Sequence, residues 1–541
     1  MTRSLETLDI EVLENILFFC NQNDLVALAQ TCHALSTPAI KKLYRSIYVR
    51  RHPRLITDES FIDSWATEVA GVRNIFKRTD QNDYLIYLKL ICLGESLKKY
   101  GQLVERVAIY DDIFTEEEGL EYLITFVDIV KGYCTNLKRF SCYDERIQKL
   151  PLPPTIENLV TSDLTELDKT THPIKSLRVH MHRYTEQHDL PNLSKLSSVE
   201  ELILEDDESA SLRLLKIMSN AGVEKLKLKR LVFNHVHGLH DYNTVPRSLT
   251  IEFIDACIDL SQLEELEMGI GCQEAECDCL GQFLDDLAPK LTSLHSVSFH
   301  EKTFHRDHYL TEAWDVSIGR FLLNVKSKVK FVAVHHNPPI DGKLTNGLEG
   351  NALRRRRLYE KVLPDLKHLE TFVSPTFLQS CACYEVLVSD LLWNGCECDF
   401  CNQFLPFYDK YLMDHAYFDS DETDFRDMIS PRLFGLFGAE MTRRLQNKYD
   451  LDAFKIPSAA TTWNFHGYKA ITCFNDINEC MFDQKLFAPL AVCVSHFMLS
   501  SIKLMAKCCP KLKKVALTGI FFTIDENREV KCLYDTPERI V

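Results

Sequence analysis

One six-residue phrase recurs along this chain and restricts its fold more than any other feature: an apolar residue, two polar ones, then alternating apolar positions. Val199-Glu200-Glu201-Leu202-Ile203-Leu204 and Leu263-Glu264-Glu265-Leu266-Glu267-Met268 are full copies. Others begin at Val104, Leu137, Ile156, Ile174, Val223, Leu294 and Leu512, and Leu369-Glu370-Thr371-Phe372 is a shorter one. The alternation suits a short strand with one face buried. Helical patterns such as Ser211–Met218 lie between copies. From Leu137 to Val223 the copies fall roughly 20 to 25 residues apart. One strand and one helix per repeat would stack into a curved, parallel-sheet α/β solenoid. The alternative is a non-repetitive α/β domain in which the phrase recurs by chance. The solenoid expectation is specific: Leu202, Leu204, Leu226, Leu228 and Leu266 lie in parallel strands whose order follows the sequence.

The first fifty residues follow a different rhythm. Val12, Leu13, Ile16, Leu17, Phe19 and Cys20 fall at helical offsets, with Asp9 placed to cap the start. Asp24 is expected to open a second helix with Leu25, Leu28 and Cys32. Thr37-Pro38 is expected to open a third, carrying Ile40, Leu43, Tyr44 and Ile47, since Pro is tolerated at a first helical position. The apolar residues spread too far around each helix for three short helices to cover, and about 40 residues rarely bury enough surface to be stable alone. Part of this surface must face something else.

Leu8-Asp9-x-Glu11-Val12-Leu13-x-x-Ile16-Leu17, Asp24-Leu25-x-x-Leu28, Thr31-Cys32-x-x-Leu35 and Leu43-Tyr44-x-x-Ile47 resemble the F-box. The family usually has Pro after the first Leu, where this chain has Asp9. The resemblance implies a three-helix hook that docks on the Skp-family adaptor of cullin-based ubiquitin ligases. It further implies that Leu8, Val12, Leu13, Ile16, Leu17, Leu25, Leu28, Cys32, Leu35, Leu43 and Tyr44 form the adaptor-binding set. The recurring phrase is similar to degenerate leucine-rich repeats, in which the Asn or Cys that completes each repeat is not regular. An F-box followed by such repeats resembles a known group of substrate receptors, many of them fungal. The expected organisation is therefore an F-box over 1–50 and a helical linker over 51–100. An irregular leucine-rich-repeat-like domain over 101–541 follows, with a loop insertion near 337–353, where Asn337-Pro338-Pro339 and Asn346-Gly347 supply turn residues.

Composition narrows the function classes. A chain of 541 residues accommodates about two to four domains. A net charge of −16 argues against a nucleic-acid backbone as the main partner, which needs clustered cations. Only 19 glycines leave little material for phosphate-cradling loops, and no Walker-type, dinucleotide-binding, nucleophile-elbow or H-E-x-x-H motif occurs. Met1–Glu6 has no apolar signal region, so a cytoplasmic or nuclear location is expected. Leu486–Met505 is apolar but interrupted by Pro489, His496 and Lys503, and reads as one or two buried helices, with no membrane insertion.

Candidate chemistry is confined to cysteine and charge clusters. Cys381-x-Cys383 precedes Cys396-Glu397-Cys398-Asp399-Phe400-Cys401, and Cys398-x-x-Cys401 has the spacing with which two thiolates grip one tetrahedral zinc. Cys396 or the earlier pair would supply further ligands, and a second cluster lies at Cys272, Cys277 and Cys279. With 20 cysteines in the chain, buried reduced thiols are the simpler reading and the one preferred: no metal or cofactor is expected. The alternative is a structural zinc at Cys396, Cys398 and Cys401, with the Phe400 ring packing outward. Arg354-Arg355-Arg356-Arg357 is either a solvated helix turn or a binder of acidic or phosphorylated groups. Asp419–Asp424 reads as a solvated acidic loop. Asp414-His415 has no identifiable third partner, so no catalytic residue is assigned.

The resulting expectation is a non-catalytic receptor of an SCF-type (Skp-cullin-F-box) ligase. It would raise the effective concentration of an unknown target protein near a charged conjugating enzyme for ubiquitin-dependent degradation. A second reading is a cullin-independent F-box/Skp complex that sequesters or regulates a partner such as a Rab-type GTPase. A thiol or metal-dependent enzyme is a distant third.

Overall fold

The recurring phrase marks where one strand hands its backbone to the next. In a computed structural model, the described residues are 8–50, 67–70, 80–109, 117–142, 147, 153–179, 193–237, 249–302, 308–336, 358–378, 384–406 and 484–532, with short breaks at 19, 21, 154, 162–163, 171, 205–207, 273–276, 375–376 and 519. These residues divide into two compact units, one drawn from 8–204 and 217–224, the other from 208–216, 225–406 and 484–532.

In the first unit, α1 (Ile10–Phe18), α2 (Gln22–Ala29) and α3 (His33–Arg45) lead without a linker into β1 (Ser46–Arg50). β2 (Thr67–Ala70), β3 (Arg106–Ile109) and β4 (Arg139–Cys142) join it in a sheet of order β2-β1-β3-β4, every pair parallel. The helices α4 (Asp80–Tyr100) and α5 (Glu117–Tyr133) pack Ile86, Leu90, Phe126 and Val130 against Ile47, Val49, Val107 and Phe140 of those strands. Further along, β5 (Asn158–Thr161), β6 (Ser176–Val179) and β7 (Glu201–Leu204) pair in parallel and in sequence order.

The second unit repeats the arrangement. β8 (Arg230–His237), β9 (Glu265–Cys272), β10 (Ser296–Glu301), β11 (Phe331–His335), β12 (Thr371–Ser374) and β13 (Lys514–Leu517) are parallel and in sequence order. β14 (Ile520–Ile524) and β15 (Val530–Cys532) then add antiparallel strands. Both units are mixed α/β, as the alternation of strand and helix patterns implies.

The physical basis of the phrase is visible in both units. Its leading apolar residue (Val104, Leu137, Ile156, Ile174, Val199, Leu263, Leu294, Leu369, Leu512) is never more than 1% exposed. Fully burying a side chain of this size is worth about 1.5–3 kcal/mol. The polar residue that follows starts the ladder. The N–H groups of Lys138, Glu157 and Lys175 donate to the carbonyls of Glu105, Lys138 and Glu157, and those of His295, Lys330, Glu370 and Lys513 to the carbonyls of Glu264, His295, Lys330 and Glu370. Charges of opposite sign then meet along the same line, as in Lys175–Glu157 at 3.1 Å and Lys513–Glu370 at 2.9 Å.

Five expectations need correction. The copy at Val223 is out of register. Leu226 forms only an isolated parallel bridge with Ile258, whereas the strand is Arg230–His237, so the repeat unit is Leu228-Lys229-Arg230-Leu231-Val232-Phe233. Two overlapping alternations are present, and pairing of Leu231 with Leu266 selects the second. Leu226 and Leu228 are nonetheless buried. Pro38 does not open α3 but sits inside it, buried; the helix begins at His33 after an extended Cys32, with the N–H of Ser36 already donating to the Cys32 carbonyl. Pro38 is the sixth residue of α3, past the first turn, so it forgoes the helical hydrogen bond to the Ala34 carbonyl. Ile47, expected on the third helix, lies on β1, and residues 51–100 contribute β2 as well as α4, so this segment is not a purely helical linker. The second helix begins at Gln22, ahead of Asp24, which then sits in the first turn where its charge opposes the helix dipole favourably.

The late apolar stretch is a single helix, Gln484–Cys508, long and apolar enough by length and composition to cross a membrane. Leu490, Val494, Met498, Ile502 and Met505 form one buried stripe along it, the pattern of a core helix. Several cysteines are buried thiols as read. Burial pushes Cys134 up to about 12 and Cys509 up to about 11, and the Cys509 thiol donates to the Leu363 carbonyl at 3.1 Å. The turn-rich loop near 337–353, Arg354–Arg357, Cys381, Cys383, Asp414-His415 and the acidic run 419–424 lie outside the described residues.

Candidate docking face of the N-terminal helices

The three helices bury one apolar seam and leave another bare. On α1, Leu13 and Leu17 are four residues apart and share a face; they are 4% and 2% exposed. Leu17 meets Leu25 of α2 and Ala39 of α3 in a small core, with Cys20, Leu28, Ala29 and Leu43 packed around it. Leu35 is buried too. Val12 and Ile16 form the adjacent face of α1 and are 43% and 38% exposed, joined in exposure by Ile10 at 54% and Val26 of α2 at 43%.

Of the eleven residues implied as an adaptor-binding set, Leu13, Leu17, Leu25 and Leu35 are thus turned into the chain. Leu8, Leu28, Cys32, Leu43 and Tyr44 are half-buried, and Val12 and Ile16 are open. Ile10 and Val26, outside that set, are exposed as well. Val26 follows buried Leu25 by one residue and Ile10 precedes buried Leu13 by three, but apolar periodicity alone marks the buried seam and not which apolar residues stay outside it.

Polar contacts fix the helices in place. The carbonyl of Asp9 accepts from the N–H of Val12 and of Leu13, both at 3.0 Å, which starts α1. At the other end Lys42 donates to the Leu17 carbonyl at 2.6 Å, placing a cation at the helix C-terminus. Lys41 pairs with Glu14 at 2.8 Å on the surface, worth little in itself but consistent in register. The end of α3 feeds the strand ladder, since the N–H of Glu105 donates to the Arg45 carbonyl at 2.9 Å. Beneath lies a cleft of 790 Å³ whose lining includes Glu14, Lys41, Lys42, Arg45, Glu105 and Lys138. Its charges are largely matched within the chain, with Glu105 shared by Arg45 and Lys138 at 3.5 Å each.

The cysteines singled out in the sequence are brought together. Cys396, Cys398 and Cys401 converge on His496, and Cys272, Cys277 and Cys279 on His237. Neither histidine was foreseen, because His496 lies 95 residues beyond Cys401 and His237 lies 35 before Cys272. Phe400 does not pack outward: its ring lies 4.7 Å from that of Phe404 and 6.2 Å from that of His496.

No family model matches the chain. The chain is, however, 34% identical to the Non-SCF-type F-box protein ROY1 of Saccharomyces cerevisiae, over 97% of this chain and 98% of that one. This chain belongs to the F-box proteins. The expectation of an SCF substrate receptor serving ubiquitin-dependent degradation is corrected by the same finding. The relative is named as a non-SCF-type protein, and the likeness runs through nearly all of both chains. The hook alone does not carry that distinction, since the same helices serve an adaptor contact with or without a cullin.

Proposed function

We propose that this chain is a cullin-independent F-box protein. It holds a Skp-family adaptor through the open face of α1 and α2, and uses its parallel-strand array, read as an irregular leucine-rich-repeat solenoid, to bind and sequester or regulate a partner protein. The observation that carries the reading is the end-to-end likeness to a protein named non-SCF-type. Exposed Val12 and Ile16, neighbours on one face of α1, support the adaptor half, with Ile10 and Val26 exposed as well: these are apolar side chains on short helices whose inner faces are already filled. The strand array supports the partner half, because stacked repeats offer an extended binding surface without catalytic groups. In this reading the chain has no catalytic residue and acts by occupancy, with small GTPases of the Rab type among the partner classes to be tried first.

The test is quantitative capture of the full-length chain from cells that express it. A stoichiometric Skp-family adaptor with no cullin above background is expected. A cullin recovered in proportion to the adaptor would overturn the reading, as would the absence of the adaptor.

A further inference from the structure

Two clusters in the second unit share a ligand set and a construction, each built on a Cys-acidic-Cys segment that leads into a helix. In the first, parallel pairing of β8 with β9 sets His237 directly opposite Cys272, so both side chains leave the sheet on one face. The chain then returns through Cys277-Asp278-Cys279, and Cys279 begins the helix Cys279–Leu287. That helix covers the same face: Phe283 stacks on His235, two residues before His237, with ring centroids 3.9 Å apart. The Nδ1 atom of His237 lies 3.5 Å from the sulfur of Cys272, 3.5 Å from that of Cys277 and 3.4 Å from that of Cys279.

In the second cluster, Cys396-Glu397-Cys398 again leads into a helix, residues 399–406, whose first bond is the Asn402 N–H to the Cys398 carbonyl at 2.9 Å. The sulfur of Cys398 accepts from the backbone N–H groups of Phe400 and Cys401. His496 arrives from the long helix Gln484–Cys508, its Nδ1 lying 3.4 Å from the sulfurs of both Cys398 and Cys401. Within each cluster the four ligand atoms all lie within 4.8 Å of one another.

We propose that each cluster holds one zinc ion, so that this chain is a two-zinc protein. The donor set of three thiolates and one imidazole is that of structural zinc sites, and bond lengths of about 2.3 Å to sulfur and about 2.0 Å to nitrogen put S and N about 3.5 Å apart in a tetrahedron. The five S–N distances of 3.4 to 3.5 Å match that spacing. Three soft sulfurs select zinc over calcium or magnesium, which take oxygen. All four positions are filled by protein atoms, so the sites are closed and structural. The first would pin the ends of β8 and β9 to the helix that covers them. The second would tie a short turn to a helix about 95 residues away in sequence, removing a large loop-closure entropy from the unfolded chain. This inference stands independently of the adaptor reading.

The test begins on the unaltered full-length protein, purified with its thiols reduced. Elemental analysis should give two zinc ions per chain, and zinc-edge X-ray absorption should show an average shell of three sulfurs at about 2.3 Å and one nitrogen at about 2.0 Å. His237→Ala and His496→Ala should each lower the count, while Cys493→Ala, which changes a buried neighbour of Cys401, should leave it at two. Fewer than two zinc ions in the unaltered reduced protein would overturn the proposal, as would a shell poorer in sulfur, because neither result depends on any variant folding.

Discussion

The N-terminal helices and the strand array solve the same problem with opposite completeness. In the array, each repeat's leading apolar residue is covered by its neighbours, and polar residues along the ladder meet partners of the next strand. In the three helices, the core reduces to Leu17, Leu25 and Ala39 with a few half-buried companions, while Ile10, Val12, Ile16 and Val26 face out. A segment with so small a core gains little from its own packing. The array is finished by folding; in the proposed reading, the helices are finished by a partner. Truncating side chains in the two regions should therefore damage different properties.

The largest effect is expected deep in the second unit. Trp314 is fully buried on the helix His308–Val325, and its indole Nε1 donates to the Ile270 carbonyl at 2.9 Å. Trp314→Ala should cost about 3–5 kcal/mol through the cavity it leaves, while the Ile270 carbonyl keeps the N–H of Lys302 at 2.8 Å. Denaturant unfolding should show this as a lower midpoint, and an unchanged midpoint would mean that the site is not packed as described.

Arg230 and Glu267 come next, paired at 3.0 Å on β8 and β9 with their side chains nearly buried. Glu267→Ala removes the nearer carboxylate from a nearly buried guanidinium, leaving it Glu265 at 3.7 Å, and should cost up to about 3 kcal/mol, whereas replacing both Arg230 and Glu267 with apolar residues should recover much of that loss. A double variant no better than the single would show that the pair is not isolated from other charges.

A third test uses acid. Burial, and for both rings the nearby Lys302, hold His335 down to about 3 and His300 well below its ordinary value of 6.5. The two rings meet edge-on at 5.0 Å, and Glu267 lies 3.8 Å from His300 Nε2. A depressed histidine stays neutral in the fold but takes up a proton when unfolded. Its contribution is therefore complete above about pH 6.5 and is lost as pH falls through the folded value. Melting temperature should drop over that window, and His335→Gln should flatten the drop. A slope that His335→Gln leaves unaltered would assign the acid sensitivity elsewhere.

The smallest effect on stability belongs to the outer face of α1. Val12→Ala and Ile16→Ala change exposed side chains and should move stability by no more than about 0.5 kcal/mol, against about 2–5 kcal/mol for Leu13→Ala one residue away. Equal costs at Ile16 and Leu13 would erase the distinction between the two faces.

Most of the strand array was legible because its signal is local. At Val199 and Leu263 an apolar residue, a polar pair and an alternation occur together, and each gives one strand at the expected place. The copy at Val223 misled for an equally local reason: Leu226-x-Leu228 and Leu231-x-Phe233 both alternate, and only pairing with β9 separates them. Pro38 misled because a proline read one residue at a time marks a helix start, whereas here the first turn was already in place. The docking face was half legible, since periodicity finds Leu13 and Leu17 but does not say which of the remaining apolar residues stay outside. The histidines of the cysteine clusters were not legible at all. Strand pairing brings His237 beside Cys272, and helix packing brings His496 beside Cys401; no run of residues encodes either meeting.

The contrast between a finished array and an unfinished hook is tested most directly by titrating purified full-length protein with a Skp-family adaptor, in unaltered form and as the Val12→Ala/Ile16→Ala double variant. The two changes delete five carbon groups from the open face, each worth up to about 0.8 kcal/mol when fully covered. Partial coverage already gives more than about 1.4 kcal/mol, a tenfold loss of affinity. The account predicts at least that loss with an unchanged melting temperature. A double variant that remains folded and binds the adaptor as tightly as the parent would contradict it.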